Sequence, residues 1–567
     1  MNPRTLSGMV LVALLSIAMF APAAETARGT VYEDLNGDGR YQDTEPGVPG
    51  VTVSNGLDVV DTDADGRYRI PIEEGDTLFI TKPSGWAVPT SQDELPRFYY
   101  HHVPDGAPAD RRPRYRGIDP TGPLPESVDF PLTRQLEPTK FTSIWFADTQ
   151  PQTMDEVEFI RDDAVAELVG FEAAFGITLG DIAYDDLSIY PRLARNIGQI
   201  GVPWYHVPGN HDINKLAPDD AEALDTYRRF FGPPYYSFEY GEVHFVVLDT
   251  VRYEGTSLGT EDEDPLGSGS YTGAIGERQM AWVANDLRRV PADRLVVLSM
   301  HIPLHSEVDP EEPKVNVEDR EELFKIIGGR EHLLALAGHM HIAEHYYFDS
   351  EHGFEGPEPL HLHSLSAICG SWWSGPFDAR GVPTSVQRDG SPRGYYLMDI
   401  DGTDVTVRFQ ATGKPADYQM RITLDPGFPR TNVDTQRDYR HGELLGNRFE
   451  MSQLYSTRVL VNLFEGGPRS TVEYRIGDGP MMEMGRVVRT DPFVEELFER
   501  ESDTMKSWVE AEPTTHIWEA PLPEELQPGS HTITVRATDE YGRVQIEHKL
   551  FEIYAFAPVD MQPVPEH

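Results

Sequence analysis

Between residues 140 and 412 the sequence alternates short apolar runs with stretches of helical periodicity, and each apolar run ends on side chains able to hold a cation. That alternation predicts an α/β domain built on strands followed by helices. Phe141 to Ala147 leads into Asp148-Thr149-Gln150, and Gly176 to Leu179 into Gly180-Asp181 and Tyr184. Val202 to His206 leads into Val207-Pro208-Gly209-Asn210-His211-Asp212, where Gly209 permits a sharp turn. Leu295 to Met300 ends at His301, and Leu333 to Ala337 at Gly338-His339-Met340-His341. Helices are expected over Met154 to Phe175, Ser188 to Ile200, Gly276 to Arg289 and Glu318 to Ile327.

In an open α/β sheet, ligands sit beyond the carboxyl ends of the strands, so these groups can converge in one crevice. Carboxylates, amides and imidazoles together form a mixed oxygen and nitrogen set that suits Mn, Fe or Zn better than calcium. Two metals about 3.5–4 Å apart need a bridging carboxylate, and Asp181 is the candidate.

The flanks read differently. Residues 28–135 are rich in Gly, Pro, Asp and Val, with short alternating runs such as Arg67-Tyr68-Arg69-Ile70 that predict a small β-sandwich. This segment opens on Asp34, Asn36, Asp38 and Arg40 with Glu45 closing, the spacing of a calcium loop with its turn glycine at Gly39. Without flanking amphipathic helices, a structural calcium is expected rather than a sensor. Residues 413–567 are again strand-like, and His531 to Thr538 alternates strictly, which suggests an immunoglobulin- or fibronectin-like sandwich.

The net charge is 48 − 94 = −46, a surface that repels nucleic-acid phosphates and anionic membranes. No duplex nucleic-acid partner is expected. The one cysteine, Cys369, permits no intrachain disulfide and reads as a buried small hydrophobe. Met1 to Ala24 has a basic start, an apolar core and an Ala21-Pro22-Ala23 end, the pattern of a cleavable signal peptide. A periplasmic or secreted protein without a membrane anchor is the expectation.

Read in order, the strand-end groups resemble the calcineurin-like metallophosphoesterases. The family pattern D-x-H, G-D-x-x-[DNY], G-N-H-[DE], a lone His and G-H-x-H is met by Asp148-Thr149-Gln150, Gly180-Asp181-Ile182-Ala183-Tyr184, Gly209-Asn210-His211-Asp212, His301 and Gly338-His339-Met340-His341. The resemblance implies a four-layer αββα sandwich flanked by two all-β domains, an architecture similar to that of an exported bacterial subgroup. It implies that Asp148 and His341 bind one metal, that Asp181 bridges, and that Asn210, His301 and His339 bind the second. The metals would be two divalent or mixed-valence transition ions. Hydrolysis of a phosphate mono- or diester by a metal-bound hydroxide would follow, with His211 contacting the phosphate and protonating the leaving oxygen and Asn210 neutralising phosphoryl charge.

One departure stands out. Gln150 occupies the position of a family His ligand, and Tyr184 stands where purple acid phosphatases carry a tyrosinate. Either side chain is a candidate ligand to the first metal. The partner of His211 is open, with Asp212 one option. His361 and His363 alternate on a strand and read as structural; Trp372-Trp373 could wall the pocket, and Arg252 to Gly273 suits a loop over it. The competing reading is a surface or glycan-binding module on an inactive phosphoesterase scaffold.

Overall fold

The computed structural model describes residues 25–108, 114–256, 269–425 and 446–555. The expected signal peptide, Met1 to Ala24, lies outside the described residues.

Two sheets form the centre. One runs Trp204–Val207, Gly176–Leu179, Lys140–Phe146, Gly394–Asp401, Asp404–Ala411, parallel across its first three strands and antiparallel across the rest. The other runs Tyr236–Tyr240, Val243–Val247, Leu295–Ser299, Leu333–Ala337, Leu360–Ser364, Glu344–Phe348, with its four inner strands parallel. The strands read as continuous apolar runs because both faces are covered. The inner faces meet through aromatic rings: Tyr205 stacks on Phe238 at 4.0 Å, and Phe175 meets Phe245 edge-on at 5.0 Å. Helices Tyr190–Ile197, Glu277–Leu287 and Arg320–Ile327 complete the expected αββα sandwich.

The helix expected from Met154 to Phe175 stops at Leu168 and contains a π turn over Arg161–Val165. Val169 leaves helical geometry at ψ 118°, and Gly170 follows at φ +76°, a value glycine takes without steric cost. The chain then turns back, so that the Ala174 N–H donates to the Thr142 carbonyl near the start of the middle strand of the first sheet.

The N-terminal segment forms two four-stranded sheets. Its core is continuous with the central one, where Phe79 packs edge-on against Trp282 at 6.1 Å. In its first loop the Asp34 carboxylate accepts the N–H groups of Gly37 and Gly39, the Asn36 side chain that of Asp38, and Asp38 that of Arg40. Glu45 closes the loop on the N–H groups of Leu35 and Gln42.

The C-terminal segment forms a four-stranded and a five-stranded sheet around their own core. It also holds a helix, Pro492–Arg500, which the strand-like reading of the sequence missed. Its apolar face, Phe493, Val494, Leu497 and Phe498, packs on Val386, Met505 and Val509, fixing the segment that follows against the central domain.

Candidate active site

The strand-end groups lie at one end of the two sheets, several of them on backbone few side chains adopt. Asp148, Gln150, Asp181, Asp185, His339 and His341 have φ between +36° and +74°, the left-handed region. Each such residue costs on the order of 1 kcal/mol or more and persists only where its surroundings hold it. The surroundings here are hydrogen bonds. The His339 N–H donates to Asp148 Oδ2 at 2.9 Å, the Gln150 N–H to the Asp181 carbonyl at 2.9 Å, and the His211 N–H to Asp181 Oδ1 at 2.9 Å.

His301 Nδ1 donates to the Leu179 carbonyl at 2.8 Å, which leaves Nε2 as the free face of the ring. Three groups meet Nε2: Asn210 Oδ1 at 3.0 Å, His339 Nδ1 at 3.1 Å and Asp181 Oδ1 at 3.2 Å. The two oxygens are acceptors, and a neutral imidazole has a lone pair there too. A proton on His301, an Nδ1–H on His339 or a cation satisfies such a point, and the donor set suits a cation. Electrostatics agree, since the burial that pushes the His301 ring down is overcome by Asp181, and the ring is raised to about 9.

A second point of the same kind lies beside it. His341 Nδ1 donates to the Gly370 carbonyl at 2.9 Å, and its Nε2 stands 3.5 Å from Asp148 Oδ1. Gln150 donates an amide hydrogen to Asp181 Oδ2, so it touches the carboxylate that joins the two points. Cys369 is buried at this floor, with Sγ 3.8 Å from both Gln150 Oε1 and His341 Nδ1. Burial, then Asp148, drives its thiol well above the ordinary range, so it is a neutral neighbour of these groups. Donor atoms of Asp181, His301 and His339 lie within 4.8 Å of one another, a set that can hold a cation, and Asp148 and His341 stand beside it.

His211 stands apart from these points. Its Nδ1 donates to Asp185 Oδ1 at 2.7 Å, and Lys215 Nζ lies 2.7 Å from the same oxygen. Burial raises the Asp185 carboxyl, but His211 and Lys215 outweigh it and hold the group below the usual carboxylate range. The partner of His211 is therefore Asp185, not Asp212. Asp212 faces the other way, accepting the N–H groups of Gly209 and Ile182 and the Tyr190 hydroxyl, and it fixes the turn that carries Asn210 and His211.

Tyr184 stacks its ring on His211 at 4.2 Å, and its phenol is raised by burial, Asp185 and Asp181. On its far side lies Trp508 of the C-terminal segment, at 6.3 Å and 22°. Trp372 stacks on His341 at 4.3 Å, and the Trp373 indole donates to the Thr149 carbonyl at 2.8 Å. Tyr271, on the hairpin of Val251–Thr256 and Gly269–Gly273, approaches His339 edge-on at 6.3 Å. Residues 257–268 of the expected loop lie outside the described residues. Sequence reasoning missed Asp185 and Trp508. The signal for Asp185 was its place directly after Tyr184 in the second motif; nothing in the local sequence marked Trp508.

Three family models match the chain in succession: the N terminal of calcineurin-like phosphoesterase over residues 35–113, calcineurin-like phosphoesterase over 146–343, and the C terminal of calcineurin-like phosphoesterase over 363–544. The chain belongs to the calcineurin-like phosphoesterases. The middle model spans every candidate ligand from Asp148 to His341, and the C-terminal model begins at His363, inside the second central sheet. A probable glycerophosphodiester phosphodiesterase GpdQ of Arcobacter nitrofigilis is 24% identical over 154 residues, 27% of this chain and 50% of the relative. The chain thus spans about half the length of the curated relative it matches. A purple acid phosphatase, PPD1, from yellow lupin seeds aligns with 11% identity and a TM-score of 0.32, over 64% of this chain and 67% of its own.

Proposed function

We propose that this protein is an exported, dinuclear metal-dependent phosphoesterase that hydrolyses a phosphate ester, with a diester as the favoured substrate. The observation that carries the reading is the convergence on His301 Nε2 of Asp181 Oδ1, Asn210 Oδ1 and His339 Nδ1, a buried donor set that suits a cation. A signal-type N-terminal sequence supports export. The diester preference draws on the name of the Arcobacter relative and on the Tyr184–Trp508 wall, which gives a second ester substituent an aromatic surface.

When bound, the metals supply Lewis-acid polarisation of the phosphoryl oxygens and an activated water. The chain does the rest. Asp181, Asp148 and the histidines hold the cations, and their second ring nitrogens, tied to Leu179 and Gly370, fix the orientation of His301 and His341. Asn210 orients the phosphoryl group. His211, with Nδ1 engaged by Asp185, presents Nε2 to the leaving oxygen and gives it a proton as the ester bond breaks. Gln150 and Tyr184 are the alternatives for the remaining place at the first metal, Gln150 through its amide oxygen and Tyr184 through its phenolate. The Asp34 to Glu45 loop is proposed to hold a structural calcium on the N-terminal sheets.

The test is turnover of a chromogenic phosphodiester beside its monoester, before and after chelation and with Mn restored. Metal-dependent hydrolysis with the diester preferred is expected. No turnover of either ester and no bound metal would favour the binding-module reading.

A further inference from the structure

A second histidine cluster lies away from the crevice, where the central domain meets the C-terminal one. His345 and His363 are direct cross-strand partners on Glu344–Phe348 and Leu360–Ser364, with their rings stacked at 3.9 Å. Both are buried, as is Glu465, which arrives from the C-terminal domain just after the strand Arg458–Leu463. His363 Nε2 and Glu465 Oε2 share a hydrogen bond of 2.9 Å. One donor atom from each of His345, His363 and Glu465 lies within 4.8 Å of the others.

The neighbours hold these groups in place. Tyr396 donates its hydroxyl to Glu465 Oε1 at 2.7 Å, the Tyr541 hydroxyl sits 3.0 Å from His363 Nδ1, and His361 Nε2 meets His345 Nδ1 at 2.9 Å. One buried polar atom is poorly served: His345 Nε2 reaches no partner in good hydrogen-bond geometry, and the Glu465 main chain gives the ring only a minor contact. An ordinary buried His–Glu contact explains His363 and Glu465 but not that orphan, since leaving a buried polar atom unpaired costs about 1–3 kcal/mol.

We propose that His345, His363 and Glu465 bind a transition-metal dication, zinc by the chemistry of the donors, as a clamp between the central sheet and the C-terminal domain. Two imidazoles and one carboxylate are a common zinc set, and a water can complete the tetrahedron. With zinc–ligand bonds of about 2.0–2.1 Å, donor atoms stand about 3.3 Å apart, close to the present 2.9 Å between His363 and Glu465. The ion takes the place of the proton shared by that pair and fills the open valence of His345. His361, Tyr396 and Tyr541 act as the outer shell that orients the ligands. Without the ion, burial keeps the cluster uncharged: the His345 and His361 rings are pushed well down, His363 to about 3, and the Glu465 carboxyl up to about 8. The site uses none of the crevice residues, so it stands whether or not the phosphoesterase reading does.

The experiment uses the full chain. Crystals are saturated with zinc, and anomalous difference maps are collected on either side of the zinc absorption edge. A peak enclosed by His345, His363 and Glu465 is expected; its absence at saturating zinc overturns the proposal. In solution, His345→Gln is expected to hold one equivalent of zinc fewer than wild type by elemental analysis, with ester turnover unchanged within about twofold. An unchanged zinc count overturns the proposal. Should His345→Gln fail to fold, Glu465→Gln is counted in its place, and the wild-type maps decide independently.

Discussion

The molecule carries two clusters of buried histidines, and they are built in opposite ways. In the crevice, Asp148, Gln150, Asp181, His339 and His341 all sit in left-handed backbone on loops just beyond strand ends. At the domain junction, His345, His361 and His363 sit within regular strands, in register with their neighbours, and none has a positive φ. Strain at the crevice aims side chains from three separate strand ends at shared points that no regular element could serve. Ladder geometry at the junction brings two imidazoles together without strain, because cross-strand neighbours stand about 4.5–5.5 Å apart at Cβ. The first arrangement suits chemistry on a ligand that enters and leaves; the second suits a fixed joint.

The strongest way to break this comparison is to remove one key residue from each cluster. Asp181→Asn is expected to lower kcat/KM by about a thousandfold or more and to release bound metal, since it withdraws the carboxylate shared by both points. His345→Gln, by contrast, should leave turnover near wild type. A junction variant that abolished turnover while remaining folded would erase the distinction. Steady-state kinetics and metal content on the same preparations decide it.

A step down in size concerns the proton. His211→Gln is expected to cost about 10²–10⁴ in kcat for an ester with a poor leaving group, the usual worth of a general acid. With a nitrophenolate leaving group, which needs little protonation, the loss should shrink markedly. Asp185→Asn should follow the same leaving-group pattern with a smaller loss, because it orients His211 and does not touch substrate. Losses independent of leaving-group basicity would remove His211 from the role of acid.

Stability against pH separates another histidine from the junction cluster. Burial pushes the His244 ring down, but Asp286 at 2.8 Å and Glu239 outweigh it, and the ring is raised to about 9. Its folded value lies above the unfolded value of about 6.5. Its stabilising contribution is therefore fully present below pH 6.5 and is lost as pH rises through about 9. His363 has the opposite sign: its folded value of about 3 lies below the unfolded one, so in chelated protein stability falls as pH drops below about 6.5. Chemical denaturation of chelated protein should show both slopes. His244→Gln should flatten the alkaline one alone, by on the order of 2 kcal/mol between pH 6.5 and 9.

The two clusters also differed in how far the sequence revealed them. Every candidate ligand of the crevice followed directly on an apolar run, so local pattern placed it at a strand end and order along the chain did the rest. The π turn and the early end of the first helix were hidden because apolar periodicity continues past Gly170 through residues that pack as loop. Asp185 was adjacent to a motif residue yet outside the motif. The junction was half visible: His361 and His363 share a strand face by their spacing of two. Their partners Glu465 and Tyr541 come from more than 100 residues away, and only the docking of two domains brings them in. Composition of the C-terminal segment gave no hint of a helix whose packing directs Trp508 at Tyr184.

That arm allows the subtlest test, since it joins the C-terminal domain to the crevice without touching its metal points. Trp508 is 49% exposed and parallel to Tyr184, and Lys506 just before it pairs with Glu156 at 2.9 Å, which anchors the arm. An aromatic contact of this kind is worth about 0.5–1.5 kcal/mol, or roughly two- to tenfold in binding. Trp508→Ala is therefore expected to raise KM for a diester by about that factor, with kcat within about twofold, the signature of binding lost equally from ground and transition states. A monoester, which lacks the second substituent, should be unaffected. If KM rises equally for both esters, the arm acts on the crevice as a whole through Tyr184 and His211. If kcat falls instead, the stack on His211 positions the proton donor, and the C-terminal domain takes part in the chemistry rather than in substrate choice.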